Sequence, residues 1–282
     1  MRSAVLIPFL LTSGCFGVPT PLAPLVDGSV GVPHAGVLRG GAELPVRGKG
    51  FARLRPKSSN YWGNPRLVRS IEGAARAVAE GAPGGAPLFV GDLSARQGGK
   101  IPGHRSHRTG RDVDLLFYAT TPSGAPVPSP GFVKFGTDGL AQVKDEHFVR
   151  FDVERNWLLV RDLVASPEAQ VQWLFASRGV EALLIDYARA RGEPLELIWR
   201  AETMLLEPGD SSPHDDHFHV RLGCSADEEI AGCEGGGPRW DWLESYPPLP
   251  PLDRNALSEI ASDDPFGLEA AALEGAAAGD DV

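Results

Sequence analysis

The sequence predicts an α+β fold: a small central antiparallel sheet flanked by helices and long loops. Three observations carry that expectation. Residues 65–80 place Leu67, Val68, Ile71, Ala74, Ala75 and Val78 on one stripe, with Arg66, Arg69, Glu72, Arg76 and Glu80 opposite, the 3.6-residue period of an amphipathic helix. Residues 112–118 alternate with a period of two, Asp112, Asp114 and Leu116 on one face and Val113, Leu115 and Phe117 on the other, as in a strand. Pro-, Gly- and Ser-rich segments, above all residues 120–139, separate such elements by loops long enough to form a functional rim.

In chain order, Met1-Arg2 followed by an apolar run over 4–11 and Thr12-Ser13-Gly14-Cys15 reads as an export signal over residues 1–15, of bacterial lipoprotein type with Cys15 as the lipidated residue, a plain secretory signal being the alternative. Residues 16–43, rich in Gly, Pro and Val without a period, read as a linker or loose arm. The folded domain is expected over 44–246. Its first helix has Asn64 as N-cap and Pro65 in the first turn. Residues 88–90 form a short buried strand and 112–118 the strand with a polar start. Residues 152–164 and 179–191 are expected as helices, with 171–176 between them either a strand or the end of a helix, Val, Trp and Phe favouring the strand. Residues 195–200 and 218–222 complete the strands. After Tyr246 a Pro-rich stretch and then an Ala-, Gly- and acid-rich tail give an expected disordered segment over 247–282.

The net charge of −10 excludes a nucleic-acid binder, because a phosphate-neutralising surface needs an excess of Lys and Arg. Of the three cysteines, Cys15 belongs to the signal. Cys224 and Cys233, nine apart in a Gly- and acid-rich segment, fit a local disulfide in an oxidising compartment, with free thiols or soft ligands for a second metal as the alternatives.

Of seven histidines, five fall in two short segments, Gly103 to Asp114 (His104, His107) and His214-Asp215-Asp216-His217-Phe218-His219. Neutral imidazole and carboxylate are the ordinary ligands of a catalytic zinc, so the two segments are expected to be halves of one metal site. His107 and Asp114 are separated by a turn at Thr109-Gly110, Gly110 being free to take a positive φ. His217 and His219, two apart on a strand, project from one face while Phe218 and Val220 pack behind. Three ligands leave a position for water, and a fourth imidazole, for which His217 is the candidate, can act as base or donor. His104 and His214 suit contacts around the metal or substrate. His34 is expected at the surface and His147, beside Asp145 and Glu146, in a solvated turn.

Histidine, six residues, aspartate, then histidine-x-histidine resembles the signature of the zinc peptidase group that joins lysostaphin-type enzymes, D-alanyl-D-alanine peptidases and the hedgehog signalling domain. Within it, Tyr61-Trp62-Gly63-Asn64-Pro65, Val90-Gly91-Asp92-Leu93-Ser94, Gly98-Gly99, Gly103 to Asp114, and His217 to Leu222 followed by Cys224 resemble the penicillin-insensitive murein endopeptidases over about residues 44–245. The resemblance implies His107, Asp114 and His219 as zinc ligands, His217 as a catalytic residue, and His104 and His214 beside the metal. It also implies a second metal held partly by His104 and an Asp-x-x-His pair, from which Asp145-Glu146-His147 departs by one residue. The implied activity is hydrolysis of the D-alanyl to meso-diaminopimelyl cross-link of peptidoglycan in the periplasm, the enzyme being membrane-anchored if Cys15 is lipidated. The rivals are a zinc D,D- or L,D-carboxypeptidase of the same group, or a non-hydrolytic zinc-containing wall-binding lipoprotein.

Overall fold

The computed structural model describes residues 27–144, 147–209, 211–235 and 237–243, all within one compact unit. The expected signal, Cys15, Asp145 and the tail from residue 247 lie outside the described residues.

The chain enters on a hairpin, β1 (Gly28–Val32) against β2 (Ala35–Arg39), with Gly28 opposite Arg39 and Val32 opposite Ala35. Over residues 28–39 this differs from the expected loose arm of 16–43, whose residues 16–26 lie outside the described residues. The segment shows no local period because distant chain holds it. Ser29 Oγ donates to the Thr109 carbonyl at 2.7 Å, Gly31 N to Gly232 at 2.7 Å and Leu38 N to Gln97 at 3.0 Å.

Short strands β3 (Ala42–Glu43), β4 (Arg47–Gly48), β5 (Phe51–Arg53) and β6 (Trp62–Gly63) lead to α1 (Pro65–Gly81), whose expected stripe is buried and whose N-cap Asn64 accepts from Arg66 N. Then come β7 (Leu88–Val90), β8 (Asp112–Leu116), β9 (Ala119–Thr120), β10 (Pro126–Val127), β11 (Leu140–Gln142) and β12 (Phe148–Phe151). The expected loop over 120–139 thus starts in a hairpin, and β10-β9-β12-β11 form a small antiparallel sheet of their own. Helix α2 (Val153–Ala165), capped by Asp152, precedes β13 (Val171–Phe175), α3 (Arg178–Ala190), α4 (Leu195–Met204), β14 (Leu205–Leu206), β15 (His217–Leu222) and α5 (Ala226–Ile230).

Residues 195–200, expected as a strand, are instead the start of α4. Ile198, Ala201 and Met204 are its buried residues, a spacing of three that belongs to a helix, whereas Leu195 and Trp199 are exposed.

The α+β class stands. The central sheet is larger than expected and mixed, seven strands in the order β14-β13-β15-β8-β7-β5-β4. Its two parallel pairs, β5 with β7 and β13 with β14, are each closed by a helical crossover, α1 in one case and α3–α4 in the other. At its centre β15 runs antiparallel to β8, with His219 opposite Asp114 and Arg221 opposite Asp112. On β15 the intervening Phe218, Val220 and Leu222 are fully buried, and Phe218 meets Phe117 edge to face at 4.6 Å. Alternate residues therefore go to the core and to the site.

Candidate metal centre

The register of β8 against β15 sets Asp112, Asp114, His217, His219 and Arg221 on one sheet face. Two loops complete the cluster. The first carries His104 and His107 and folds back through Gly110, which has φ +72°; a Cβ there would press on the Leu38 side chain and the Asn64 backbone. The second carries His214. His107 (φ 63°) and His214 (φ 55°) themselves occupy the left-handed region, a conformation costing about 1–3 kcal/mol that surrounding contacts must impose. The His107 backbone is held between Gly99, whose N–H donates to the Arg108 carbonyl, and β8, while the His214 carbonyl accepts from Ser177 N at 3.0 Å.

Asp114 is the hub. Its Oδ1 lies 3.3 Å from His107 Nε2, 3.4 Å from His217 Nε2 and 3.5 Å from His219 Nδ1. Its Oδ2 is 3.8 Å from His104 Nδ1. His104, His107 and Asp114 each offer a ligand atom within 4.8 Å of the others, and so do His214, His217 and His219. The predicted site residues from both segments are therefore brought together. His147 is not among them: it is exposed at the β11–β12 turn, its Nδ1 3.3 Å from the Lys144 carbonyl.

The other ring nitrogens are committed. His107 Nδ1 donates to the Leu93 carbonyl at 2.7 Å, and His219 Nε2 donates to Asp112 Oδ1 at 2.8 Å, so that His107 Nε2 and His219 Nδ1 are the lone-pair nitrogens and both face Asp114. A backbone carbonyl or carboxylate behind an imidazole is the usual arrangement that orients a metal-binding histidine. Asp112 Oδ1 is shared with Arg221 Nε at 2.7 Å. His104 Nε2 donates to Asp92 Oδ2 at 3.2 Å, and His217 Nδ1 to Asp216 Oδ1 at 2.5 Å.

This donor set fits a cation. Among the described residues, His107 Nε2 and Asp114 Oδ1, 3.3 Å apart, are buried without a hydrogen-bond partner, a costly state for two facing polar atoms, and His214 Nδ1 is buried without one as well. The spacing of 3.3–3.5 Å around Asp114 Oδ1 matches the roughly 3.3–3.4 Å edge of a tetrahedron whose arms are about 2.0–2.1 Å, the zinc–ligand length. A buried His/Asp group here could hold a metal.

Electrostatics divide the histidines. Burial favours the neutral form of His107, His214, His217 and His219. For His219 it prevails over the Asp112 hydrogen bond and pushes the ring down to about 4. His214 is lowered by burial and by the neighbouring His217. In His217 the nearby Asp114 carboxylate and the hydrogen-bonded Asp216 outweigh burial and raise it to about 9, and Asp114 likewise raises His107. Against its own burial, Asp114 is held well below the ordinary carboxylate range by His107 and His217.

Walls of the site come from elements with no chemical signature in the sequence. Phe175 meets His214 and His219 at 5.9 and 5.4 Å, and Phe132, from the long loop, meets His217 edge to face at 5.1 Å. Gly91 lets β7 pass close to Asp114, since a Cβ there would lie 3.0 Å from the Asp114 Cβ. Asp92, Asp112 and Asp216 carry no role in the sequence reasoning. Asp112 was within reach of it, being two residues before Asp114 on the same strand face; Asp92 and Asp216 become legible only through the histidines they touch.

Known proteins match this chain in the same region. The family model for penicillin-insensitive murein endopeptidase matches residues 29–130, which include His104, His107 and Asp114. A penicillin-insensitive murein endopeptidase of Haemophilus influenzae is 29% identical over 227 residues, 76% of this chain and 72% of that protein. Proteins of the same name from Escherichia coli are 31% identical over 122 residues, 41% of this chain and 44% of theirs. The chain is similar to penicillin-insensitive murein endopeptidases over these residues.

Proposed function

We propose that this chain is a zinc-dependent peptidoglycan endopeptidase that hydrolyses the D-alanyl to meso-diaminopimelyl cross-link. The observation that carries the metal is Asp114 Oδ1, buried, without a hydrogen-bond partner and faced by three imidazole nitrogens at 3.3–3.5 Å. The cross-link follows from the kinship with the murein endopeptidases. His107, Asp114 and His219 are the ligands, because His107 Nδ1 and His219 Nε2 are fixed from behind and the free nitrogens of both rings face Asp114 Oδ1. His104 stands beside the metal, tied to Asp92. Bound there, zinc supplies a Lewis acid for the amide carbonyl and makes water nucleophilic at neutral pH.

The chain's own residues do the rest. His217 and His214 are pushed in opposite directions, the pattern of a donor and an acceptor in one site. Cation ligation would draw on the charge of Asp114 and leave Asp216 as the partner that keeps His217 protonated. His217 then donates from Nε2 to the developing oxyanion or the leaving amine. His214, kept neutral by burial, is suited to accept a proton through Nδ1. Phe132 and Phe175 limit water on either side. A periplasmic location with a lipid at Cys15 belongs to the same proposal, and among the described residues no helix is long and apolar enough to cross a membrane.

The test is zinc content and hydrolysis of cross-linked stem-peptide dimers measured on one preparation. The unaltered chain should hold about one zinc, and His107→Ala and Asp114→Ala should each lose metal and turnover together. Full metal with normal turnover in either variant would remove it from the ligand set.

A further inference from the structure

Outside the catalytic group, Arg55 is a cation built into the wall of the site. Arg55 follows β5, and its Nη1 donates to Asp92 Oδ2 at 2.8 Å, the oxygen that also accepts from His104. Its guanidinium lies over the Phe132 ring at 5.6 Å, and that ring meets His217. Arg55 is therefore fixed from two sides by residues that each touch the metal constellation, Asp92 through His104 and Phe132 through His217. Its backbone is pinned as well, Arg55 N donating to Tyr61 Oη at 3.0 Å. Yet its side chain is half exposed, at 52%, while Asp92 is buried.

Arg55 and His104 share one oxygen of Asp92, Oδ2, while Oδ1 has no hydrogen-bond partner among the described residues, so the pair with Asp92 uses only one corner of the guanidinium. A guanidinium carries five donors in a planar fork, and among the described residues the side chain's one hydrogen bond uses Nη1 alone. The Nε and Nη2 edge is the shape that takes a carboxylate bidentately.

We infer that Arg55 is a specificity-determining residue that binds a substrate carboxylate next to the scissile amide. The inference rests on the proposed endopeptidase function and names what that site selects. The leaving amine of a D-alanyl to meso-diaminopimelyl cross-link sits on a carbon that also bears a carboxylate, so the cleaved bond and an anion arrive together. Arg55 holds that anion, and the uncharged, partly apolar wall of Phe132 keeps the pair partly shielded from water.

The experiment compares two cross-linked peptide dimers, one with the diaminopimelate carboxylate adjacent to the cross-link free and one with it amidated. Binding to the full chain is read by calorimetry and hydrolysis by product analysis, for the unaltered protein, Arg55→Ala and Arg55→Lys. The unaltered protein should favour the free carboxylate by roughly 10–100-fold, the span of a charge-assisted hydrogen bond. Arg55→Ala should erase that preference, chiefly in Kd and KM, with the amidated peptide changed little and zinc content unchanged. Arg55→Lys should recover only part, because a point charge cannot reproduce the fork. An equal loss on both peptides would make Arg55 a positioning residue for Asp92 and His104 and overturn the inference, as would an unaltered protein with no preference between them. Carboxylate-selective binding without hydrolysis would sink the endopeptidase function and leave the subsite standing.

Discussion

Glu228 and Asp114 are both buried carboxylates among polar and cationic partners, and they are built in opposite ways. Glu228 Oε1 accepts from Ser29 N at 2.9 Å and from Asn64 Nδ2; Oε2 accepts from Arg66 Nη2 at 3.0 Å and Ser225 N at 2.9 Å. Both oxygens are satisfied, and they tie the entry hairpin, the N-terminus of α1 and α5 into one clasp, beside the Cys224–Cys233 disulfide. Asp114 has comparable burial, but its Oδ1 faces three ring nitrogens and bonds none of them. A buried anion that has spent all its acceptors holds a fold together. One that has withheld them, in the company of lone pairs, is arranged for a cation.

The contrast is sharpest in what removal should do. His217→Ala tests the open cluster. If three ligands complete the protein's share of the zinc sphere, the variant keeps its metal and loses kcat by roughly 10²–10⁴, with substrate binding changed much less. Zinc analysis beside single-turnover hydrolysis decides it. Loss of zinc would make His217 a fourth ligand, which its 3.4 Å approach to Asp114 allows on distance alone.

Glu228→Gln tests the closed cluster. The amide keeps the shape but turns one acceptor into a donor facing Ser29 N, Ser225 N, Asn64 Nδ2 or Arg66. Stability should fall by about 3–5 kcal/mol, as when a buried ion pair loses one partner, while the molecules that remain folded keep their metal and turnover. pH adds a second arm. Burial alone would raise the Glu228 carboxyl, but the bonds from Ser225, Arg66 and Ser29 outweigh it and hold it below its ordinary 4.5. A depressed carboxylate stabilises the fold above its unfolded value and loses that contribution as pH falls through the folded one. The unaltered protein should therefore lose stability below about pH 4.5 in denaturant melts, and Glu228→Gln should flatten that part of the profile. An unchanged profile would mean that other carboxylates set the acid limit.

The two clusters also differ in how far the sequence reveals them. Five histidines crowded into two segments, with His217 and His219 at strand spacing, announce the open cluster, because metal chemistry restricts residue types and a strand restricts their spacing. Helices α1, α2 and α3 are legible for the same reason, their period being local. The clasp is not. Glu228 sits in a short acidic run that reads as solvated, and its partners Ser29, Asn64 and Arg66 lie more than 160 residues away. The entry hairpin shares that fate, since Gly28 to Arg39 is ordered by contacts to Thr109, Gln97 and Gly232 and by no pattern of its own. Residues 195–200 fail differently: six residues are too few to show their period, and the three-residue spacing of Ile198, Ala201 and Met204 emerges only when the segment is read through Met204. Cys224 and Cys233 needed only proximity in sequence, and they are joined.

Asp112 stands between the two cases, and it yields the smallest and most discriminating effect. It is fully buried; Oδ1 accepts from His219 Nε2 and Arg221 Nε, while Oδ2 has no partner among the described residues. Arg221 and His219 overcome burial and hold its carboxyl far below the ordinary range, so it is an anion throughout the physiological range. Behind a metal-bound imidazole, that charge makes the ring a stronger ligand and fixes which nitrogen faces the centre. Asp112→Asn keeps an oxygen for His219 and Arg221 but removes the charge. Zinc affinity, measured by competition with a chelator, should weaken roughly 10–100-fold, with the fold retained and kcat at saturating zinc close to normal. Unaltered affinity would class Asp112 with Glu228, as an anchor for Arg221 within the sheet. A loss as complete as that expected for Asp114→Ala would mean that the free Oδ2 itself reaches the metal.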